Sequence, residues 1–329
     1  MTIREIAKTA GVSISTVSLV MNGKAKASRI HPDTEKRIVQ LAQQFNYVPN
    51  KNARRFRLKR SDTFGFIVPD ATNPFFSSLS YALEMELKQR GYQLLIGYSD
   101  DQVEIEAEIM QNLLSYSIDG LIIASAANTD QVVQGIKGGG IPAVFIDREI
   151  HSKNISSISS DNFLGAFEAV NYVCSRGVRD IYHIGGLAKF STTRHRAEGY
   201  IKALENNGIP IDETKIFLRD YQMSSGFQMM REIFQKNGSL PQAVFTGSYS
   251  LLEGCLRFIY EIYQTIPPDI AIVTFDDHPL LDFIPNKIIS VRQDTEQLAK
   301  SAVQVILDIL QGSAYAENLK IKPKLIIRT

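Results

Sequence analysis

Tryptophan is absent from this 329-residue chain, and cysteine occurs only at Cys174 and Cys255. Two isolated cysteines inside helical patterns form neither a disulfide framework nor a metal-binding pair, which predicts buried thiols in a reducing compartment. No apolar run approaches the roughly 20 residues that cross a bilayer, so no membrane association is expected. Nor is there a charged-then-apolar signal region, because polar residues interrupt the N-terminus from Glu5 onward. A cytoplasmic location is therefore expected. His31, His151, His183, His195 and His278 lack metal-ligand spacing, so no metal is expected. Gly185-Gly186 and Gly138-Gly139-Gly140 belong to no dinucleotide fingerprint or phosphate loop, and there is no G-x-S-x-G elbow. No cofactor and no enzymatic activity are expected.

What is present is a charge imbalance. The totals of 36 Lys+Arg and 35 Asp+Glu nearly cancel, yet 13 of the basic residues lie in the first sixty positions against only Glu5, Asp33 and Glu35. That leaves +10 on a small head and −9 on the remaining 269 residues. A basic head suits a polyanion, since phosphate neutralisation by Lys and Arg supplies most DNA affinity.

The head reads as three helices. Ile3, Ile6, Ala7 and Ala10 form one apolar face, Gly11 supplies a turn, and Ser13 caps a second helix running through about Asn22. There Val17, Val20 and Met21 face inward, leaving Ser15, Ser18, Leu19 and Asn22 outward. A third helix begins after His31-Pro32-Asp33, buries Ile38, Leu41, Ala42 and Phe45, and ends before Pro49. Two short helices about a glycine turn, completed by a third, make an all-α helix-turn-helix head over residues 1–49. Residues 50–61 form a basic linker with Lys51, Arg54, Arg55, Arg57, Lys59 and Arg60. It has too little apolar area to fold alone and is expected to order on DNA.

From Thr63 onward short β runs alternate with helices. FGFIVP (64–69), YQLLIGYS (92–99), DGLIIAS (119–125), AVFID (143–147) and SSIS (156–159) make one series. IYHIGG (181–186), KIFLRD (215–220), QAVFTG (242–247) and IAIVTFDD (270–277) make a second. Alternation of this kind predicts an α/β body (62–329) of two parallel-sheet lobes with a ligand cleft between them. The first lobe is expected to comprise 62–161 plus 291–329, and the second 162–290.

Ligands in such sheets meet the loops at the carboxyl ends of strands. Those loops hold Asp70, Asn73, Phe75, Phe76, Asp147, Arg148, Asp161, Ser191, Thr192, Arg194, Arg196, Tyr221, Ser248, Tyr249, Asp276 and Asp277. Carboxylates for hydroxyls, arginines for oxygen acceptors and rings for an apolar face suit a sugar. Convergence of Arg148, Arg194 and Arg196 would favour a phosphorylated hexose such as fructose 1-phosphate over a neutral disaccharide. Alternatives stand beside these assignments: Asp277 and Arg292 as an ordinary ion pair, Phe76 as core, and Arg148 or Arg194 paired with Asp147 or Asp161.

GVSISTVSLVMNG followed by YVPNKNARRF resembles the lactose-repressor family of bacterial regulators, and the resemblance runs the length of the chain. NGKAKASRI is most similar to the fructose-repressor and sucrose-operon-repressor branch. The resemblance implies a transcriptional repressor of sugar-utilisation genes whose body is like a periplasmic binding protein. It implies that the helix from Ile14 to Asn22 enters the major groove of a double-stranded operator. Ile14, Ser15 and Leu19 would read base edges, through apolar contact in two of the three cases. Ser13, Thr16, Ser18 and Asn22 would hold phosphates, as would Lys24 and Arg29 unless that loop is merely solvated. Ile14 has a second reading, as a core residue one turn from Val17. In the linker, Asn50, Arg54 and Phe56 are expected on DNA, with Phe56 or Leu58 as the wedge where the family has leucine.

In the body the resemblance singles out Asp147, Arg196, Tyr221 and Asp276 as effector contacts, while Ser248 departs from the family's usual asparagine. It also implies a homodimer on a palindromic operator, paired through the helix Phe76–Arg90 and its second-lobe counterpart. No leucine-heptad stretch follows before Thr329, and tetramers by other contacts remain open. The rival readings are a sugar kinase with a DNA-binding head and a sugar-uptake receptor.

Overall fold

The computed structural model describes residues 2–47, 60–126, 134–136, 138–149, 155–313 and 318–328. The chain divides into two compact units, Met1–Ser61 and Asp62–Thr329.

In the first unit, α1 (Ile3–Ala10), α2 (Ile14–Met21) and α3 (Pro32–Gln44) enclose a core of Ile6, Ala7, Ala10, Val17, Val20, Ala25, Ile38 and Ala42. Each start is fixed by local chemistry. The Thr2 hydroxyl accepts from the Glu5 amide while Glu5 accepts from the Thr2 amide at 2.7 Å, a reciprocal cap. Gly11 ends α1 with φ 65°, a left-handed turn that glycine adopts without a Cβ penalty. The Ser13 hydroxyl then caps α2 through the Thr16 amide at 3.1 Å. His31 caps α3, and Pro32 occupies its first turn, where a missing N–H costs nothing. Phe45 departs from expectation. It is the C-cap of α3 and 43% exposed, because the helical period that aims Ile38 and Ala42 inward has already ended there.

The second unit contains two six-stranded sheets. The first, in order β11-β5-β4-β3-β1-β2, comprises β1 (Thr63–Val68), β2 (Gln93–Tyr98), β3 (Gly120–Ile123), β4 (Ala143–Ile146), β5 (Ser156–Ser160) and β11 (Asn318–Ile321). The second, in order β12-β10-β9-β8-β6-β7, comprises β6 (Ile181–Gly185), β7 (Ile216–Leu218), β8 (Ala243–Thr246), β9 (Ala271–Phe275), β10 (Ile288–Arg292) and β12 (Lys324–Arg328). The two orders are the same once corresponding strands are matched. Central strands β1, β3, β4, β6, β8 and β9 are buried along their length, as near-continuous apolar runs in parallel sheets should be. Strands β2 and β7 are sheet edges, partly exposed rather than buried.

Helices cover both faces. In the first lobe α4 (Pro74–Gln89) and the late helix α10 (Thr295–Leu310) share one core, while α5 (Val103–Ser115) packs on the other face. In the second lobe α6 (Asn162–Cys174) pairs with α7 (Ser191–Asn206), and α8 (Met223–Asn237) with α9 (Tyr249–Tyr263). Cys174 and Cys255 are buried free thiols in these two cores.

The chain passes between lobes after β5, after β10 and again before β12. The last crossing corrects the expected assignment of 291–329 to the first lobe. Strand β10 continues through Arg292 in the second sheet, and β12 returns there to pair with it antiparallel, Ile288 opposite Arg328 and Arg292 opposite Lys324. Without β12 the β10 edge would present a row of unpaired backbone groups, and Leu325 would lose its seat against the second-lobe core.

Candidate functional site

Strand ends in the two lobes converge on one pocket. It holds about 470 Å³ of space free of protein atoms, solvent at its mouth included. Asp147 follows β4 and Asp276 follows β9, the equivalent position in the other sheet. Both adopt left-handed backbone angles, φ 67° and 69°, which turn the chain sharply at the strand end. Aspartate tolerates that conformation better than most side chains.

Both carboxylates are buried. Burial pushes the Asp147 carboxyl up from 3.8 to about 6, against the pull of the Arg196 and Arg148 guanidiniums. Asp276 is also raised by burial, offset by Arg196 and by hydrogen bonds from Gln293 Nε2 (2.7 Å) and the Tyr249 amide (3.4 Å). Among the described residues, none donates a hydrogen bond to the Asp147 side chain.

Arg196 projects from α7. Its Nε donates to Asn162 Oδ1 at 2.8 Å, one Nη donates to the Gly247 carbonyl, and its plane lies 3.8 Å from the Phe275 ring centroid. Arg148 donates to Asp101 Oδ1 at 2.6 Å and to the Ser125 carbonyl at 2.9 Å, and stacks 3.6 Å from the Phe190 centroid. Asn73 caps α4 by accepting from the Phe75 amide at 3.0 Å, and Ser248 caps α9 through Leu251. Phe75, Phe76 and Tyr221 supply aromatic wall, and the Tyr221 hydroxyl meets Thr193 Oγ1 at 2.8 Å. Tyr221 approaches so closely because Gly186 has no Cβ; one built there would sit 2.1 Å from the ring.

Of the sixteen loop residues named from the sequence, Asp70, Asn73, Phe75, Phe76, Asp147, Arg148, Thr192, Arg196, Tyr221, Ser248 and Asp276 line this pocket. Asp161, Ser191, Arg194, Tyr249 and Asp277 do not. Asp161 is the N-cap of α6, accepting from the Leu164 amide at 2.9 Å. Arg194 lies two residues from Arg196, on another face of α7, and donates to the Lys189 carbonyl at 2.8 Å. The three arginines therefore do not converge. Arg292 pairs with Asp277 at 2.6 Å, the ordinary ion-pair reading, and Arg328 joins them at 2.9 Å. Asp101, Gln222 and Gln293 line the pocket without having been singled out. Asp101 follows a strand as the others do, whereas Gln222 and Gln293 sit in connecting segments without a sequence signal.

On the head, Ile14 is 46% exposed, which removes its core reading. Ser13, Ser15, Asn22, Lys24 and Arg29 are exposed, and Thr16, Ser18 and Leu19 are half-buried along α2. Asn50, Arg54, Phe56 and Leu58 lie outside the described residues. Among the described residues no helix is long and apolar enough to cross a membrane, and no cluster of His, Cys, Asp and Glu has a metal-holding arrangement.

Residues 2–50 match the model for bacterial regulatory proteins of the lacI family, and residues 61–329 match that for periplasmic binding proteins and the sugar-binding domain of the LacI family. The chain belongs to the LacI family. It is a DNA-binding transcriptional regulator, and neither the kinase nor the uptake-receptor reading survives. The fructose operon regulatory protein of Vibrio cholerae is 34% identical over 100% of both chains. The sucrose operon repressor of Klebsiella pneumoniae is 32% identical over 95% of this chain and 93% of its own. Among solved structures, the Cra dual regulator of Pseudomonas putida in complex with fructose 1-phosphate aligns with TM-score 0.75 and 26% identity, over 82% of this chain and 99% of that one.

Proposed function

We propose that this LacI-family regulator is a cytoplasmic homodimeric repressor of a sugar-utilisation operon, released from a palindromic operator by a sugar of the fructose or sucrose type, free or phosphorylated. The observation that carries the proposal is the pair Asp147 and Asp276, one from each lobe, both buried in the pocket and both under the pull of Arg196. A ligand whose hydroxyls reach both carboxylates interacts with both lobes at once, and so binds one lobe arrangement more tightly than another. The relatives named for fructose and sucrose operons support that class of effector.

The proposed dimer surface is the outer face of α4, where Tyr81 is 65% exposed and Met85 37%. The α2 surface reads the half-site, with Ile14, Ser15 and Leu19 at the base edges and Ser13, Thr16, Ser18, Asn22, Lys24 and Arg29 at phosphates. Asn50, Arg54 and Phe56 of the linker complete the DNA contacts, Phe56 as the minor-groove wedge. An allosteric coupling of about 1–3 kcal/mol would change operator affinity about 5- to 150-fold.

The test is operator binding by the full-length chain, on a palindrome obtained by in vitro selection, titrated with fructose, sucrose, fructose 1-phosphate and fructose 1,6-bisphosphate. Salt must be held fixed because phosphate contacts make affinity salt-dependent. At least one sugar should release the DNA; none doing so refutes the effector class.

A further inference from the structure

We infer, building on the sugar-responsive reading above, that the pocket selects an unphosphorylated sugar and that Asp101 is a specificity-determining residue that turns a phosphate group away. The charged side chains lining the pocket are Asp70, Asp101, Asp147 and Asp276 against Arg148 and Arg196, a formal balance of −2 among the described residues. A phosphate dianion entering such a site meets like charge in a partly desolvated space, where repulsion is poorly screened.

The two arginines offset this only in part, because each already has donors committed to the protein, Arg148 to the Asp101 carboxylate and Arg196 to Asn162 and Gly247. Arg148 Nη1 is held by the Asp101 carboxylate at 2.6 Å and by the Ser125 carbonyl at 2.9 Å, while its buried Nε has no partner among the described residues. The carbonyl is itself fixed: buried Glu106 accepts from Ser125 Oγ at 2.7 Å and from the Ala126 amide at 2.6 Å. A phosphate binding Arg148 would have to sit against Asp101 or displace it. In Arg196 Nε donates to Asn162 and Nη1 to the Gly247 carbonyl, which fixes the guanidinium in place. Arg194, the third arginine in the sequence, is engaged by the Lys189 carbonyl outside the pocket.

The unmet capacity of the pocket is for hydrogen-bond donors. Asp147 accepts none from the described residues, and it is only 5% exposed, so water does not solvate it freely. Sugar hydroxyls supply O–H donors to a carboxylate; a phosphate dianion supplies only further acceptors. Asp101 itself is well placed as a gate. It takes φ 55°, and its side chain is the more exposed partner of the pair, 21% against 5% for Arg148.

The experiment is calorimetric titration of the full-length protein with two matched pairs, fructose with fructose 1-phosphate and sucrose with sucrose 6-phosphate. In at least one pair the neutral sugar should bind, with its phosphate weaker by about tenfold or more. A phosphate that binds as tightly as its parent, or more tightly, overturns the inference while leaving the sugar-responsive reading intact. If no member of either pair binds, that reading falls and the inference with it. Asp101→Asn keeps the side-chain shape and tolerates the left-handed backbone, while removing the charge and loosening the hold on Arg148. It should narrow the gap between each phosphate and its parent about tenfold; an unchanged gap in the folded variant overturns the role of Asp101. The wild-type comparison decides the charge argument even if that variant does not fold.

Discussion

Asp147 is a residue this fold tolerates at a cost, and Asp147→Asn measures that cost. Its carboxyl titrates at about 6 in the folded chain against 3.8 ordinarily, because burial disfavours the ionised form more than Arg196 and Arg148 favour it. The difference corresponds to on the order of 3 kcal/mol against folding at pH 7.5. The sign follows from proton binding. Between pH 3.8 and about 6 the native state holds more protons than the unfolded one, so stability falls as pH rises through that window and the full penalty applies above it. At pH 5 roughly half of it remains.

Asparagine adopts the same left-handed backbone and removes the charge, so Asp147→Asn should stabilise the free protein at pH 7.5. The new amide carries a desolvation cost of its own, about 1–3 kcal/mol if it finds no partner. That cost is the same at both pH values, so the stability difference between variant and wild type, compared at pH 7.5 and pH 5, isolates the ionisation. Urea unfolding monitored by circular dichroism should show the difference shrinking by roughly half of the ionisation penalty on going to pH 5. A difference that does not change with pH refutes the account of Asp147 as a buried charge awaiting donors. Effector affinity in the wild type should meanwhile rise with pH through about 6, since a hydroxyl donates best to the ionised carboxylate; in Asp147→Asn it should be weak and flat.

Other perturbations separate the parts of the molecule. Gly186→Ala places a Cβ 2.1 Å from Tyr221, so the ring must swing away and lose its bond to Thr193; sugar affinity measured by calorimetry should fall about tenfold, the level expected for a misplaced positioning group. Leu19→Ala should cost about 1–3 kcal/mol of operator affinity and leave binding to random DNA unchanged in a competition assay. Lys24→Ala should weaken all DNA sequences alike and reduce the slope of log affinity against log salt by about 0.9. Phe56→Ala should weaken operator binding with no change in sugar affinity, and equal operator affinity would remove the wedge assignment.

Legibility followed the range of the interaction that fixes each feature. The central strands are apolar runs bounded by turns, a local pattern, and the pocket lies at their carboxyl ends because parallel sheets place it there. The fate of residues 324–328 was not local. Lys-Leu-Ile-Ile-Arg reads as a strand wherever it goes, and only the open edge of β10 determines which sheet receives it. Arg194 and Asp161 are different, because the information was present. Residues two apart on a helix face about 200° apart, so Arg194 and Arg196 cannot both turn inward. An aspartate just before a helix is first of all a cap, which is what Asp161 does. Phe45 likewise ends its helix instead of continuing the buried stripe.

The equivalence of the two sheets bears on how the pocket can act as a switch. Matching strand orders bring β4 and β9 to the same place in their lobes, and each is followed by an aspartate with nearly the same φ. The lobes touch directly: Arg148 of the first stacks on Phe190 of the second, and the Glu149 amide donates to Ser191 Oγ at 2.8 Å. Those contacts are made between protein groups alone, so they do not by themselves report a sugar. Under the proposed function, the donors a sugar brings to Asp147 on one side and Asp276 on the other add an energy that depends on occupancy. A molecule satisfying one aspartate alone would bind weakly and shift nothing, since its affinity would be the same for every arrangement of the lobes. Under the proposed function, the duplication that repeats the fold would supply the condition for signalling, an acceptor on each of two bodies that a single ligand bridges.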